Sequence, residues 1–244
     1  MKAKGAKRVA KLIADAIPEN VPELSKYLKG DETFTDIQGH WAEDVIKTLA
    51  ENDKVSGVGD GKFNPDGTVT RAEFLKMAMD SLGIVGHAYR DGECLDATND
   101  DWYCYYLQGA LDKDIIPEEM IKDCDFTNVT KTLKESTEKE KAVRANVNVY
   151  TGKFYGDKPI TREEMAVIAT RCKNYKMRNW RDWDNERRIP VFSFKDSDEI
   201  DEKYISYVVH AYNLKYIDGM EDGRFAPKEN LTRAQAAVVM NNLK

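Results

Sequence analysis

One short motif, Thr-Arg followed by any residue and then Glu or Gln, occurs three times in this chain and constrains its fold more than any other feature. The copies lie within residues 69–73, 160–164 and 231–235. Each copy follows a segment that combines glycine with an aromatic residue, at residues 60–65, 152–155 and 222–227. A chain that repeats itself in this way predicts tandem structural units.

Each motif predicts the start of a helix. Thr70, Thr161 and Thr232 stand three residues before Glu or Gln, which is the spacing of a capping box. Apolar residues then recur at equivalent positions, namely Phe74, Leu75 and Ala78, Met165, Ala166 and Ala169, and Ala236, Ala237 and Met240. The later two helices are apolar on most sides, and units of this size bury little surface alone. We therefore expect the three units to share one core.

A second helix, led by an aromatic residue, is predicted in each unit, beginning near Trp41, Trp102 and Tyr204. Farther upstream, the Phe-x-Asp segments at residues 34–36 and 194–196 match each other, and Tyr89-Arg90-Asp91 is the weaker middle copy. The three motif threonines are 91 and then 71 positions apart. Repeat two is therefore predicted to carry an insertion, mostly at residues 118–149.

The first helical residue after each threonine is an arginine, although a cation is mildly unfavourable at the positive end of a helix dipole. The recurrence of this choice at Arg71, Arg162 and Arg233 indicates a purpose. Together with free amides of the helix N-terminus, each guanidinium would form a compact site for a carboxylate or phosphate. The alternative is that each arginine pairs with an acidic residue of a neighbouring repeat.

These residues resemble the S-layer homology (SLH) family, from about residue 33 to residue 244. Repeat one carries nearly the whole family pattern, repeat three keeps most of it, and repeat two is the most divergent copy. The matching residues of repeat one are Phe34, Asp36, the segment His40-Trp41-Ala42, Gly57, Asp60, Gly61, Phe63, Pro65 and the motif at residues 70–73. Because repeat two departs from the pattern, three equal sites are not expected.

The resemblance implies a mostly α-helical fold, in which three helix-loop-helix repeats form a three-lobed pseudo-trimer around a central three-helix bundle. The family anchors exported proteins non-covalently to secondary cell-wall polysaccharide, often through a pyruvylated N-acetylmannosamine end. In that family the motif arginine meets the ketal carboxylate in a groove between repeats. The residues implied here are Arg71, Arg162 and Arg233 for the carboxylate, Trp41 and Trp102 for aromatic contact with sugar, and Asp60 and Asp222 for sugar hydroxyls.

The predicted organisation has an N-terminal helical segment at residues 1–32 and three repeats. Repeat one spans residues 33–86, repeat two spans 87–176, a linker follows at 177–190, and repeat three spans 191–244. The N-terminal helix is predicted from one apolar face, formed by Val9, Leu12, Ile13, Ala16 and Ile17. The basic N-terminus does not lead into the apolar run of a secretory signal. An exported protein would have lost its signal, or this chain would be a fragment.

Composition excludes several classes of function. The chain has 244 residues, with 37 Lys plus Arg against 43 Asp plus Glu, a formal charge of -6. That balance argues against a general nucleic-acid binder, and no apolar run is long enough for membrane insertion. Neither a nucleophile with its base nor a phosphate-binding loop is evident, so we predict a non-enzymatic module without cofactors. We expect it outside the cell, associated with the cell wall or S-layer.

The sequence supports metal sites and disulfides less well than it supports the repeats. Residues 64–73 partly match a calcium-binding loop, but Lys62 stands at its first position, where a cation opposes binding. The cysteines, Cys94, Cys104, Cys124 and Cys172, include no C-x-x-C pair, and the three histidines lie far apart, which argues against zinc. Disulfide pairing and reduced thiols both remain open.

Two other functions fit parts of the sequence. The segment at residues 173–188 interleaves basic with aromatic residues, a composition that can bind single-stranded nucleic acid. It also contains acidic residues and joins two repeats, which favours a packed linker. The main alternative is a structural protein, whose repeats serve self-association in a surface array or a phage-like particle.

Overall fold

The computed structural model describes residues 34–52, 54–90, 94, 96–117, 120–121, 152–177 and 194–244. These residues contain six α-helices, and their contacts outside the helices include four isolated β-bridges. In chain order the helices are α1 (Glu43–Glu51), α2 (Arg71–Leu82), α3 (Cys104–Asp112), α4 (Arg162–Met177), α5 (Ile205–Asn213) and α6 (Arg233–Asn242). Two short 3-10 turns, Ser197–Glu199 and Glu202–Tyr204, precede α5. The predicted mostly α-helical fold is confirmed.

The helices alternate between two kinds. Helices α1, α3 and α5 each begin directly after a buried residue of the aromatic-led segment, Ala42, Tyr103 or Tyr204. Helices α2, α4 and α6 each begin at the motif arginine, as predicted. Within the described residues, each repeat thus contributes one helix that follows the aromatic-led segment, called the outer helix, and one that begins at the motif arginine, called the inner helix. Matching positions can be assigned from the starting points of these helices.

The predicted capping boxes are present at the start of all three inner helices. In α2 and α6 the threonine hydroxyl accepts from the N3 amide, and the N3 side chain accepts from the amide of the same threonine. The same two hydrogen bonds join Thr161 and Glu164 at the start of α4. These bonds fix where each inner helix begins and therefore how its first residue, the arginine, is presented.

A closed cycle of backbone hydrogen bonds joins the three repeats just before these helices. Val69 donates to the carbonyl of Leu231 at 3.0 Å, Leu231 donates to Ile160 at 2.9 Å, and Ile160 donates back to Val69 at 2.9 Å. All three side chains are completely buried. The cycle supports the implied pseudo-trimer, whose full symmetry around a central bundle stays a prediction.

The core lies between the inner helices and the outer helices that cover them. Helix α2 packs against α3, α4 and α6, while α4 packs against α5 and α6 against α1. The apolar residues predicted to be equivalent are buried in each inner helix: Phe74, Leu75 and Ala78, Met165, Ala166 and Ala169, and Ala236, Ala237 and Met240. Full burial of a large apolar side chain is worth about 1.5–3 kcal/mol. The three repeats therefore gain stability from one another.

An aspartate fixes the glycine-aromatic loop in each repeat. The Asp36 carboxylate accepts from the amides of residues 63 and 64, and Asp196 accepts in the same way from residues 225 and 226. In repeat two this role belongs to Asp96, which accepts from Phe154 at 2.8 Å and Tyr155 at 2.6 Å. The predicted middle copy ending at Asp91 is therefore wrong, because a cysteine, Cys94, stands two residues before the aspartate that holds this loop, where the other repeats have phenylalanine.

Some predictions fall outside the described residues. The N-terminal helix of residues 1–32 lies there, as do nearly all of the insertion at 118–149 and the linker at 177–190. The predicted repeat boundaries stay predictions. None of the helices in the described part of the chain is long and apolar enough to span a membrane.

Candidate functional site

Each motif arginine extends across a boundary between repeats. Its Nε donates to the carbonyl of an aromatic residue in the next repeat, and its Nη2 donates to a second carbonyl there, at 2.7–2.9 Å. The acceptors are Phe154 and Met120 for Arg71, Phe225 and Asp218 for Arg162, and Phe63 and Ser56 for Arg233. Each guanidinium also lies 4.7–5.0 Å from the ring centroid of that aromatic residue. The arginines therefore hold the repeats together.

The amides at the start of the inner helices are also occupied. In α2 the amides of Arg71 and Ala72 donate to the carbonyls of Lys158 and Gly156 in repeat two, both at 2.9 Å. Equivalent bonds run from α4 to repeat three and from α6 to repeat one. The predicted free amides are therefore wrong, because the loop of the neighbouring repeat supplies their acceptors.

The three motif arginines differ in how deeply they are buried. Arg71 is 2% exposed and Arg162 is 5% exposed, whereas Arg233 is only partly buried. The Nη1 of Arg71 lies 2.6 Å from Oε1 of Glu164, in an ion pair that lacks the alignment of a hydrogen bond. The alternative expectation, an acidic partner in the neighbouring repeat, thus applies to Arg71.

Arg233 lies in a cleft of about 300 Å³ between repeats three and one. Repeat one supplies the rest of the lining, which consists of Lys54, Val55, Ser56, Lys76, Met77 and Asp80. Among the described residues of the lining there are therefore three cations and one carboxylate. Burial alone would lower the pKa of Lys76, but the hydrogen bond from its Nζ to Asp80 raises that pKa overall. Lys54, Lys76 and Arg233 together outweigh Asp80 in this lining, which makes the cleft electropositive.

The other two repeats lack this arrangement at matching positions. Lys54 donates its amide to a carbonyl five residues back, and Ile115 and Tyr216 make the same bond at the same distance, 2.8 Å. These two residues, both buried, therefore replace Lys54. Lys76 is matched by Val167 and Val238 in the inner helices. The lysine pair is thus specific to the cleft that contains Arg233.

Arg233 retains hydrogen-bonding capacity in this cleft. A guanidinium has five N–H donors, and the two bonds to Phe63 and Ser56 use one on Nε and one on Nη2. The donors left over, two on Nη1 and one on Nη2, form the fork that binds a carboxylate end-on. Burial lowers the pKa of Arg233, but the ordinary value is so high that the side chain stays charged.

The predicted aromatic and aspartate residues do not line the cleft. Trp41 is 65% exposed and packs beside His40, and Trp102 is 54% exposed at the start of α3. Asp60 and Asp222 are exposed in the glycine-aromatic loops. Asp222 accepts hydrogen bonds from Nε and the amide of Arg224, which lower its pKa. The positions of Asp60 and Asp222 therefore do not support a direct role for them in a site centred on Arg233.

The described cysteines are free thiols. Cys94 and Cys172 are buried, and Cys104 is partly buried. Burial raises the pKa of Cys94 to about 12 and also raises that of Cys172, so both thiols are unreactive at neutral pH. Cys124 lies outside the described residues. Within the described part of the chain, His, Cys, Asp and Glu form no group suited to a metal ion.

Comparison with known proteins decides the family. The S-layer homology domain matches this chain in three segments, residues 33–75, 147–166 and 193–237. The chain belongs to the S-layer homology family. All three motif arginines lie within the matched segments, which supports a tandem SLH triplet.

The SLH triplet is similar to part of several larger enzymes. It is 32% identical to the amylopullulanase of Thermoanaerobacterium thermosulfurigenes over 92% of this chain and 10% of that protein. It is 34% identical to exoglucanase XynX of Acetivibrio thermocellus over 90% of this chain and 17% of the enzyme. The chain thus spans less than a fifth of the length of these relatives. SLH domains are non-catalytic, and their presence supports a cell-wall anchoring module at the cell surface.

Proposed function

We propose that this SLH triplet anchors its protein by binding an acidic cell-wall polysaccharide in the cleft between repeats three and one. The pyruvate ketal of a terminal N-acetylmannosamine would supply the carboxylate. The observation that carries the proposal is the grouping of Lys54, Lys76 and Arg233 around one cleft. Its volume of about 300 Å³ suits a single sugar unit, at the lower end of small-molecule sites.

The chemistry of recognition follows from the donors that face the ligand. The end-on fork of Arg233 binds both oxygens of the carboxylate, while Lys54 and Lys76 add positive potential from repeat one. Bonds from a charged donor contribute roughly 1.5–3 kcal/mol each. Asp80 already accepts from Lys76 and so holds that ammonium in place at the cleft. The carboxylate therefore contributes most of the selectivity for an acidic sugar.

The arrangement favours this cleft over the other two boundaries. At those boundaries the motif arginines are almost completely buried, and apolar or aromatic residues replace the lysines. A carboxylate there would have to displace Glu164 from Arg71 or enter the buried surroundings of Arg162. We therefore assign one dominant site to the triplet.

Calorimetric titration with the pyruvylated N-acetylmannosamine glycoside, and with the same sugar lacking the ketal, tests the proposal. The variant Lys54→Met/Lys76→Met removes two cations without touching the carbonyl bonds of Arg233. We expect it to weaken binding of the acidic glycoside about ten- to a hundred-fold. The sugar without the ketal should bind neither protein.

The matched control is Lys47→Met/Lys203→Met, which changes the net charge equally at two exposed lysines outside the cleft. It should bind the acidic glycoside like the unaltered protein. Equal losses in both double variants would show that net charge, not the cleft, governs binding. An absence of binding by the folded protein, combined with concentration-dependent sedimentation, would instead favour the self-assembly function.

A further inference from the structure

The outer helix of repeat two, α3, borders the Arg233 cleft. The hydroxyl of Tyr106 donates to Oδ2 of Asp80 at 3.4 Å. The Nζ of Lys76 lies 5.5 Å from the centroid of the Tyr106 ring. Asp80 and Lys76 both line the cleft. Tyr106 therefore contacts two residues of the cleft lining from the neighbouring helix α3.

Two further aromatic side chains continue this surface. The ring of Tyr105 meets that of Tyr106 edge-on, with centroids 5.5 Å apart, and Tyr105 is 43% exposed. Trp102, which is 54% exposed, lies two residues before the first residue of α3 and so stands at the same end of this helix as the two tyrosines. We call Trp102, Tyr105 and Tyr106 the aromatic strip.

The other two repeats show that the strip is not a general feature of the fold. The starts of the outer helices align Ala42, Tyr103 and Tyr204. The positions that match the strip are then Trp41, Asp44 and Val45 in repeat one, and Lys203, Ser206 and Tyr207 in repeat three. Among the described outer helices, the complete strip occurs on α3, which borders the cleft with the lysine pair. Two unusual features thus both adjoin Lys76 and Asp80 of α2.

The chemistry of the strip suits a neutral sugar. A pyranose presents C–H groups on its ring faces and hydroxyls at its edge, so it packs on an aromatic ring and hydrogen-bonds to groups beside it. Tyrosine and tryptophan combine a flat apolar surface with one polar group. Asp80 and Lys76 stand next to Tyr106 and offer an acceptor and a donor for hydroxyls.

We propose that the aromatic strip is a second subsite, which binds neutral sugar units of the polysaccharide whose acidic end occupies the cleft. This inference rests on the proposed function, because the strip gains its ligand from the adjacent site. Tyr106 lies at the cleft, Tyr105 supports the next unit, and Trp102 extends the surface farther along the chain. The strip therefore selects for polymer length rather than for charge.

Two probes of different length test the subsite. The short probe is the pyruvylated N-acetylmannosamine glycoside, and the long probe is a trisaccharide of N-acetylhexosamines with the same pyruvylated end. Trp102→Ala/Tyr105→Ala removes the two most exposed rings of the strip. Loss of two aromatic contacts should lower the affinity for the long probe about five- to thirty-fold. The affinity for the short probe should stay the same.

Matched variants separate ring stacking from other effects. Tyr105→Phe keeps the ring and should retain the affinity for the long probe. Leu214→Ala removes another exposed apolar side chain, on repeat three, and should change the affinity for neither probe. Equal affinity of the unaltered protein and Trp102→Ala/Tyr105→Ala for the long probe would overturn the subsite while leaving the cleft intact. Failure of the unaltered protein to bind either probe would overturn the proposed function and, with it, the subsite.

Discussion

Arg71 of repeat one and Glu164 of repeat two form an ion pair with both side chains almost completely buried, at 2% and 5% exposure and an Nη1 to Oε1 distance of 2.6 Å. The same Glu164 closes the capping box of α4 through its other oxygen. Arg71 also donates to the carbonyls of Phe154 and Met120. The side chain of Arg71 thus joins the start of α2 to the start of α4 and to two loop segments of repeat two.

This arrangement predicts that the motif arginines differ in their contribution to stability. Arg71→Met would leave Glu164 charged and buried without its cation, at a cost of about 3–5 kcal/mol. Arg233→Met loses two hydrogen bonds at a partly exposed position, at a cost of about 1–2 kcal/mol. Urea denaturation measures both free energies of unfolding. Arg71→Met/Glu164→Gln should recover part of the loss, and equal destabilisation by the two single arginine variants would contradict the prediction.

The role of Asp96 in repeat two gives a second prediction. Its carboxylate accepts two backbone amides, as Asp36 and Asp196 do in the other repeats. Asp96→Asn replaces one acceptor oxygen with a donor and should lower the free energy of unfolding by about 1.5–3 kcal/mol. Asp91→Asn, at the end of the copy predicted from sequence, is the control and should have little effect. A larger loss for Asp91→Asn in urea denaturation would restore the sequence-based register.

The parts of the fold that were predicted correctly depend on local sequence. A capping box needs only a threonine and a side chain three residues later, so Thr70, Thr161 and Thr232 place the inner helices directly. The register of repeat two was missed because Cys94 stands where Phe34 and Phe194 stand in the other copies. One residue more also separates Asp96 from α3 than separates Asp36 from α1.

The candidate site was predicted only in part, because its geometry depends on distant residues. Arginine recurrence identified Arg233, but its acceptors Phe63 and Ser56 lie 170 and 177 positions away. The equivalence of Lys76 with two valines was visible in the sequence, yet its proximity to Lys54 and Arg233 required the folded chain. Trp102 was predicted as an aromatic residue of its own repeat, and its ring meets that of the neighbouring Tyr103, with centroids 5.6 Å apart.

Asp112 provides a prediction about acid stability. Burial alone would raise its pKa, but hydrogen bonds from Arg90, His87 and Gln108 lower that pKa to about 2. Because the folded pKa lies below the unfolded value near 3.8, the stabilisation is complete above that value and is lost as the pH falls toward 2. Asp112→Asn should cost about 1–2 kcal/mol at pH 7, allowing for solvent screening of a partly exposed group. Urea denaturation at pH 7 and pH 2.5 should show the difference shrinking, and a constant difference would contradict this assignment.

The contribution of Glu163 to the stability of the fold changes with pH in the opposite direction. It is buried at the start of α4, where burial raises its pKa although Lys228 and the amide of Asp201 both donate to it. A folded pKa above the ordinary value of 4.5 means that its stabilising contribution is complete below that pH and is lost as the pH rises. Lys228→Met removes the neighbouring cation and should destabilise the fold by about 1–2 kcal/mol at pH 7.

The loss in Lys228→Met should be smaller at pH 4, because protonation then neutralises the buried carboxylate. Urea denaturation of the variant across this pH range measures the change, with Lys195→Met as a control at another exposed lysine of repeat three. Adding Glu163→Gln to Lys228→Met should reduce the pH dependence, because Glu163 is then removed and Asp201, which Lys228 also contacts at 2.7 Å, is the carboxyl group that remains at that position. If the double variant kept the full pH dependence, the titration would belong to a group other than Glu163.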